Sequence, residues 1–310
     1  FIPLIMGFGC NVPAIMACRT IESRSSRLIT ILITPFMSCS ARIPIYLLLA
    51  GTFFAADAGT VMLGLYALGI VLAVVTARLM RRFLFPVDET PFVMELPPYR
   101  LPTWKTTLTH MWDKCAQYLK KMGGMILIAS VIVWFLSYYP RTDETAGTET
   151  HYANSYLGRL GKGCEPVFSP LGFNWKASVA LLSGLPAKEI VVSTLGVLYS
   201  EGAVTTHAEG EIIGGADGTT EIVIAESAAK EPAGDEETAS LSQRLLASGN
   251  FSTASALAFL VFILLYVPCI ATVVAIGSEA GWKWAAASVV YNTAMAWLVA
   301  WIVYRIVLLF

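Results

Sequence analysis

Cys10, Cys39 and Cys269 each stand beside a glycine or proline inside an apolar run. Cys10 lies in Gly7-Phe8-Gly9-Cys10-Asn11-Val12-Pro13. Cys39 lies in Thr34-Pro35-Phe36-Met37-Ser38-Cys39-Ser40-Ala41-Arg42, and Cys269 in Tyr266-Val267-Pro268-Cys269-Ile270-Ala271-Thr272. Proline inside a helix removes a hydrogen bond and clashes with the preceding turn. In a bilayer the freed backbone groups survive only where protein or a wet cavity covers them. A thiol at such a break therefore sits among unpaired carbonyls. Thiolates suit Cu(I), zinc or iron, whereas hard cations prefer oxygen. A mixed set of thiol, amide, hydroxyl and carbonyl groups holds a cation weakly enough to release it. The candidate ligands are Cys10, Asn11, Cys39, Ser40, Glu189 and Cys269. The three thiols are expected to converge on one pathway near mid-depth.

A second break, Gly184-Leu185-Pro186-Ala187-Lys188-Glu189, supplies charge. Arg42 lies near the middle of the run 28–56, and Lys188 and Glu189 lie within 177–200. A charge at bilayer depth costs about 2.5–3.5 kcal/mol on insertion scales, so it is usually paired and functional. Arg42 and Glu189 are expected on the same inward face, joined directly or through Lys188, water or an ion. Glu189 either ligates a cation or neutralises its neighbours. Asn11 either offers its carbonyl to a cation or caps the following helix, a common role for Asn.

The elements that carry these residues are membrane segments. The chain has 310 residues, 56% hydrophobic and only 14% charged, against about 25% charged in an ordinary soluble domain. A run of about 20 apolar residues spans a bilayer. About seven segments emerge: 1–17, 28–56, 58–77, 122–139, 177–200, 251–277 and 284–304, with the first and fifth able either to span or to re-enter. The fold class is an all-α polytopic membrane protein. Two repeats pair a Gly-x-Pro-type break with a later Pro-plus-Cys break, marked by Pro13 and Pro35 in one and Pro186 and Pro268 in the other. Matching broken segments in two halves point to a transport site. The organisation is 1–82, first repeat and following span; 83–121, basic connection; 122–139, single span; 140–176, external loop; 177–277, second repeat with the acidic loop 201–249; and 278–310, last span. The stretch 103–121 is either an amphipathic interfacial helix or an extension of the next span.

Basic connections stay cytoplasmic. Arg19, Arg24 and Arg27, and the bases from Arg78 to Lys121, place 18–27 and 78–121 inside, and the turn at Ala55–Ala58 outside. Continuing that path puts 201–249 and the C-terminal end inside, with the two repeats pointing the same way. Should 177–200 re-enter instead, the repeats invert and the C-terminal end lies outside. The chain opens in an apolar run without Met, read as a truncation point with spans upstream.

Other classes fit poorly. A net charge of -1 suggests no nucleic-acid partner. The three histidines lie in polar connections, and no CxxC pair or disulfide framework occurs. There is no GxxxxGK[ST], HExxH or GxSxG motif, so the chain reads as no enzyme. Gly214-Gly215-Ala216-Asp217-Gly218 lacks the following Lys-Ser or Lys-Thr and reads as a flexible turn, and the ten acidic residues of 201–249 as solvation.

Together with Arg19-Thr20-Ile21-Glu22, the four broken blocks resemble the Gate segments of the bacterial ferrous iron transport protein B family, in that family's order and over nearly the whole chain. The resemblance implies a multi-pass permease for Fe2+ in the bacterial cytoplasmic (inner) membrane. It implies an N-terminal G-protein domain binding GTP and Mg2+, which is not on this chain. It also implies a small accessory ferrous-transport protein and a homo-oligomer as possible partners besides the lipid bilayer. The family's motif cysteines correspond to Cys10, Cys39 and Cys269. The residues themselves reach only a cation pathway with soft ligands; iron comes from the resemblance. A Gate-type permease for a nucleoside or other small solute is the alternative. It should favour aromatic stacking and several amides, whereas only Asn11 and Asn292 fall in apolar segments. A regulatory scaffold without transport would not need broken, charged helices.

Overall fold

The computed structural model describes residues 1–84, 103–140, 152, 154–199, 245 and 251–309. The acidic loop 201–249, apart from Leu245, lies outside the described residues. So do Gly214 to Gly218, His151, His207 and Arg100. The described residues are helical, without strands. By length and composition, four helical stretches can cross a membrane: Arg24–Phe53, Ala58–Phe83, Thr253–Glu279 and Trp282–Leu309.

The two repeats share one design. In the first, α1 (Ile2–Gly7) and α2 (Asn11–Ala17) form a hairpin whose tip is Phe8–Cys10. A broken helix follows, α3 (Arg24–Ile33) and α4 (Ile43–Phe53), with short 3-10 turns at Thr34–Phe36 and Ser40–Arg42 filling the gap. After α5 (Ala58–Phe83), α6 (Trp104–Tyr138) and α7 (Tyr156–Phe168), the pattern recurs. The hairpin is α8 (Trp175–Ser183) and α9 (Ile190–Tyr199); the broken helix is α10 (Thr253–Leu265) and α11 (Ile270–Glu279). The chain then runs into α12 (Trp282–Leu309). Nine or ten residues of helix reach only about 14–15 Å, half of a hydrocarbon core about 30 Å thick. Neither arm of either hairpin crosses alone.

The two repeats are inverted, which corrects the expected parallel arrangement. Arg19, at the end of α2, bonds Glu279, at the end of α11, with Nε donating to Oε2 over 2.8 Å. Two groups this close share one side of a bilayer, so the 279–282 turn joins the basic 18–27 connection. At the opposite end, Phe53 meets Phe251, and Phe251 meets Tyr199. Asn174 Nδ2 donates to the Tyr199 hydroxyl over 3.3 Å, so both feet of the second hairpin stand at that end. The first hairpin opens the other way, with Phe1 beside Ser26, Arg78 and Arg81. Thus α3–α4 and α10–α11 run antiparallel. Residues 201–249 are flanked by Tyr199 and Phe251 at the end opposite the 18–27 connection. Tyr304, in the last turns of α12, lies against Gly172 between α7 and α8.

Two boundaries also move. Residues 104–138 form one continuous helix, so 103–121 extends the next span rather than lying apart as an amphipathic helix. The stretch 140–176, expected as an external loop, holds α7, which buries Leu157 and Gly161 and carries Cys164. A Cβ on Gly161 would meet Val179 Cγ2 at 2.5 Å, so α7 and α8 touch at van der Waals distance there.

The main core is built on α10, where eleven of thirteen residues are buried. A second cluster crosses the repeats, setting Val12, Ile15 and Cys18 on Ala271, Val274 and Ala275.

Candidate functional site

Each repeat joins its two breaks by one backbone hydrogen bond. The Ser40 amide, just after Cys39, donates to the Gly9 carbonyl, just before Cys10, over 3.2 Å. The Ile270 amide, just after Cys269, donates to the Leu185 carbonyl, just before Pro186, over 3.0 Å. Ser40 Oγ adds a second donation to Gly9 over 2.9 Å. The hairpin tips are thereby held against the interruptions of the long helices. Gly184 makes the second junction possible: a Cβ there would stand 2.3 Å from Val191 Cγ2 and 2.9 Å from the Tyr266 hydroxyl.

All three candidate cysteines are N-cap residues. Cys10 precedes α2, Cys39 precedes the turn into α4, and Cys269 precedes α11; none makes a side-chain capping bond. Cys10 is exposed, and Cys39 and Cys269 are partly buried. Cys269 Sγ lies 3.1 Å from Thr272 Oγ1. None of the six cysteines is in a disulfide among the described residues. Among the described residues no group of three or more His, Cys, Asp or Glu is placed to hold a metal ion. The thiols therefore do not assemble a closed cage.

Two buried cations stand among these groups. Arg42 is 1% exposed. Its Nη1 donates to the Met37 carbonyl over 3.2 Å and its Nη2 to the Pro35 carbonyl over 3.4 Å. These carbonyls are left free where Pro35 and the extended backbone at Met37 end the helix. Lys188 is 3% exposed. Its Nζ donates to the Val267 carbonyl over 2.7 Å and lies 3.0 Å from the centroid of the Tyr266 ring. Cys39 and Cys269, one from each repeat, both fall within the electrostatic surroundings of Arg42 and of Lys188.

Arg42 and Glu189 form no direct ion pair among the described residues. Glu189 is exposed, and Arg19–Glu279 is the ion pair found among the described residues. Carbonyls opened by the breaks solvate the buried cations instead, which a count of opposite charges cannot foresee. Asn11 also departs from its capping role. It is the first residue of α2, buried, and its Oδ1 has no hydrogen-bond partner. A buried acceptor without a donor normally costs about 1–3 kcal/mol, and an oxygen left bare is one a cation can use. Of the four site prolines, Pro13 lies inside the first turn of α2, where its missing N–H costs nothing. Pro35, Pro186 and Pro268 lie in the breaks. The sequence reading missed Tyr266 and Tyr46. Tyr46 is fully buried with Ser38 Oγ donating to its hydroxyl over 3.3 Å; the only signal was a tyrosine next to a Pro-Cys or Cys-Ser break.

Inverted repeats with discontinuous helices are an architecture found among secondary transporters. Comparison with known proteins agrees. The Gate model, described as nucleoside recognition, matches residues 1–53 and 119–283. The model for the ferrous iron transport protein B C terminus matches residues 62–114. The chain belongs to the Gate family and, within it, to the ferrous iron transport protein B family. It is 50% identical over its full length to a fused Fe(2+) transport protein A/Fe(2+) transporter FeoB of Porphyromonas gingivalis. It is 40% identical to the Fe(2+) transporter FeoB of Methanocaldococcus jannaschii over 97% of the chain. It is 40% identical to that of Campylobacter jejuni over 91%. It spans 38%, 40% and 42% of those relatives' lengths, in their C-terminal part. No solved structure matches it.

Proposed function

We propose that this chain is the permease part of a ferrous iron transporter of the bacterial cytoplasmic membrane, with Fe2+ as cargo. The observation that carries the reading is that Arg42 and Lys188, one in each repeat, are buried on carbonyls freed at the breaks that carry Cys39 and Cys269. Partly buried thiols, the bare Asn11 oxygen and unwound carbonyls supply soft and hard donors together. An iron(II) ion accepts both and is not trapped by either. Cys10 and Ser40 border the first junction, and exposed Glu189 stands beside the second, suited to receive the ion at the rim. The nucleoside reading has less support, because the buried tyrosines are committed to Ser38, Lys188 and the Leu181 carbonyl.

Opening and closing would be driven by a GTP- and Mg2+-binding domain beyond this chain, as the family resemblance implies. The fused relative supports a small accessory iron-transport protein as a partner. In cells lacking other iron uptake, Cys39→Ser and Cys269→Ser in the full chain should each lower 55Fe(II) accumulation at equal membrane abundance. Wild-type accumulation in both variants would remove the thiols from the pathway.

A further inference from the structure

We infer that the Lys188 ammonium is a tethered stand-in for the transported cation: it occupies the cation's position when the site is empty and is displaced on loading. This rests on the cation-permease reading above. The Nζ contacts are those a desolvated metal ion seeks: a break carbonyl at 2.7 Å and an aromatic face at 3.0 Å, with Cys39 and Cys269 in the same electrostatic surroundings. A cation over an aromatic face is attracted by the ring quadrupole.

Three features set Lys188 apart from a structural counter-charge. It has three N–H donors but one hydrogen-bond acceptor among the described residues, so it is held loosely for a buried ammonium. No carboxylate pairs with it among the described residues. Burial first, and then the like charge of Arg42 nearby, raise the cost of keeping a charge there. A fork-shaped guanidinium bound to two carbonyls, as in Arg42, is fixed. An ammonium on a flexible four-carbon stem can withdraw. On loading, the Lys188 side chain withdraws and the divalent ion takes the Val267 carbonyl.

The consequence is a controlled affinity. A site already filled by its own side chain binds cargo more weakly by the fraction of time it is open. The filled site also never presents a bare carbonyl and thiols to the membrane interior, so the empty transporter can complete its return.

The test uses the full chain purified under anaerobic conditions, with Co2+ as probe because its thiolate complexes absorb in the near ultraviolet. Lys188→Met should bind Co2+ about tenfold tighter if Lys188 fills the site nine-tenths of the time, while steady-state 55Fe(II) uptake falls. In the unaltered protein, saturating Co2+ should raise acetylation of Lys188 by acetic anhydride, read by mass spectrometry; this arm does not depend on any variant folding. Unchanged Lys188 acetylation under a saturated, Cys269-dependent absorption band would overturn the inference and leave the permease reading standing. Co2+ affinity in Lys188→Met equal to or weaker than that of the parent would do the same. Absence of any Co2+ binding to the unaltered protein would overturn both.

Discussion

Arg19 and Glu279 form a two-pronged ion pair between the end of α2 and the end of α11, one helix from each repeat. Glu279 is only 10% exposed, Arg19 46%. The hydrogen bonds that Arg19 donates to the Glu279 carboxylate hold its guanidinium above the ordinary arginine pKa. The pair settles the relative orientation of the repeats, because its members cannot stand on opposite faces of a bilayer.

Sidedness is therefore directly measurable. Cysteines introduced at Ser23 and Gly281 should react with a membrane-impermeant maleimide from the same side, and one at Ser252 from the other. Labelling of Ser252→Cys and Ser23→Cys from one side would contradict the inverted arrangement.

The ion pair itself should be worth little for folding. Exposed pairs contribute about 0.2–1 kcal/mol, and the two-pronged geometry puts this one near the top of that range. A double-mutant cycle of Arg19→Ala and Glu279→Ala on thermal unfolding in detergent should give a coupling of that size. The swap Arg19→Glu with Glu279→Arg should restore what each single reversal loses.

Arg42 should matter for stability, and Glu189 should not. Replacing Arg42 with Leu strips donors from the Met37 and Pro35 carbonyls, and a buried group left unsatisfied costs about 1–3 kcal/mol. Folded yield by fluorescence-detected size exclusion should drop for Arg42→Leu and stay at the parental level for Glu189→Gln. Equal losses in both variants would point back to a pair between them.

Asn11 separates ligation from packing. Its buried Oδ1 has no donor, so Asn11→Leu should leave thermal stability unchanged or raise it. If the oxygen serves the ion, the same change should lower 55Fe(II) uptake. A variant that is destabilised yet transports normally would assign Asn11 to structure alone.

Gly184 is a steric requirement of the second junction. A methyl group there would stand 2.3 Å from Val191 Cγ2, and overpacking of a filled core costs about 1–3 kcal/mol. Gly184→Ala should destabilise by that amount, and Val191→Ala in the same chain should recover part of it.

Local grammar was readable from sequence, and path was not. Pro35, Pro186 and Pro268 announced the breaks, because proline cannot continue a helix, and the breaks fall there. The three cysteines singled out each stand at the N-terminal entry of a helical segment, Cys10 at a hairpin tip and Cys39 and Cys269 at the breaks of the long helices. The parallel and the inverted arrangement both stayed open because 177–200 is long enough to cross as one helix. Only the Gly184–Glu189 tip, closed by the Ile270–Leu185 hydrogen bond, folds it into two short arms. One crossing fewer reverses everything downstream. The Arg42–Glu189 pairing failed for a related reason: charge complementarity is visible in a sequence, whereas a carbonyl released by a break becomes a partner only in three dimensions.

The two ends of the molecule are fastened by unlike materials. At one end the catch is ionic, Arg19 on Glu279; at the other it is an aromatic cluster of Phe53, Phe251 and Tyr199. Dissolved salt screens the first and leaves the second alone, while cooling weakens apolar contact and spares the charge pair. Ionic strength and temperature thus pull on opposite mouths of the same protein. An experimenter holding only a buffer and a thermostat can choose which one to loosen.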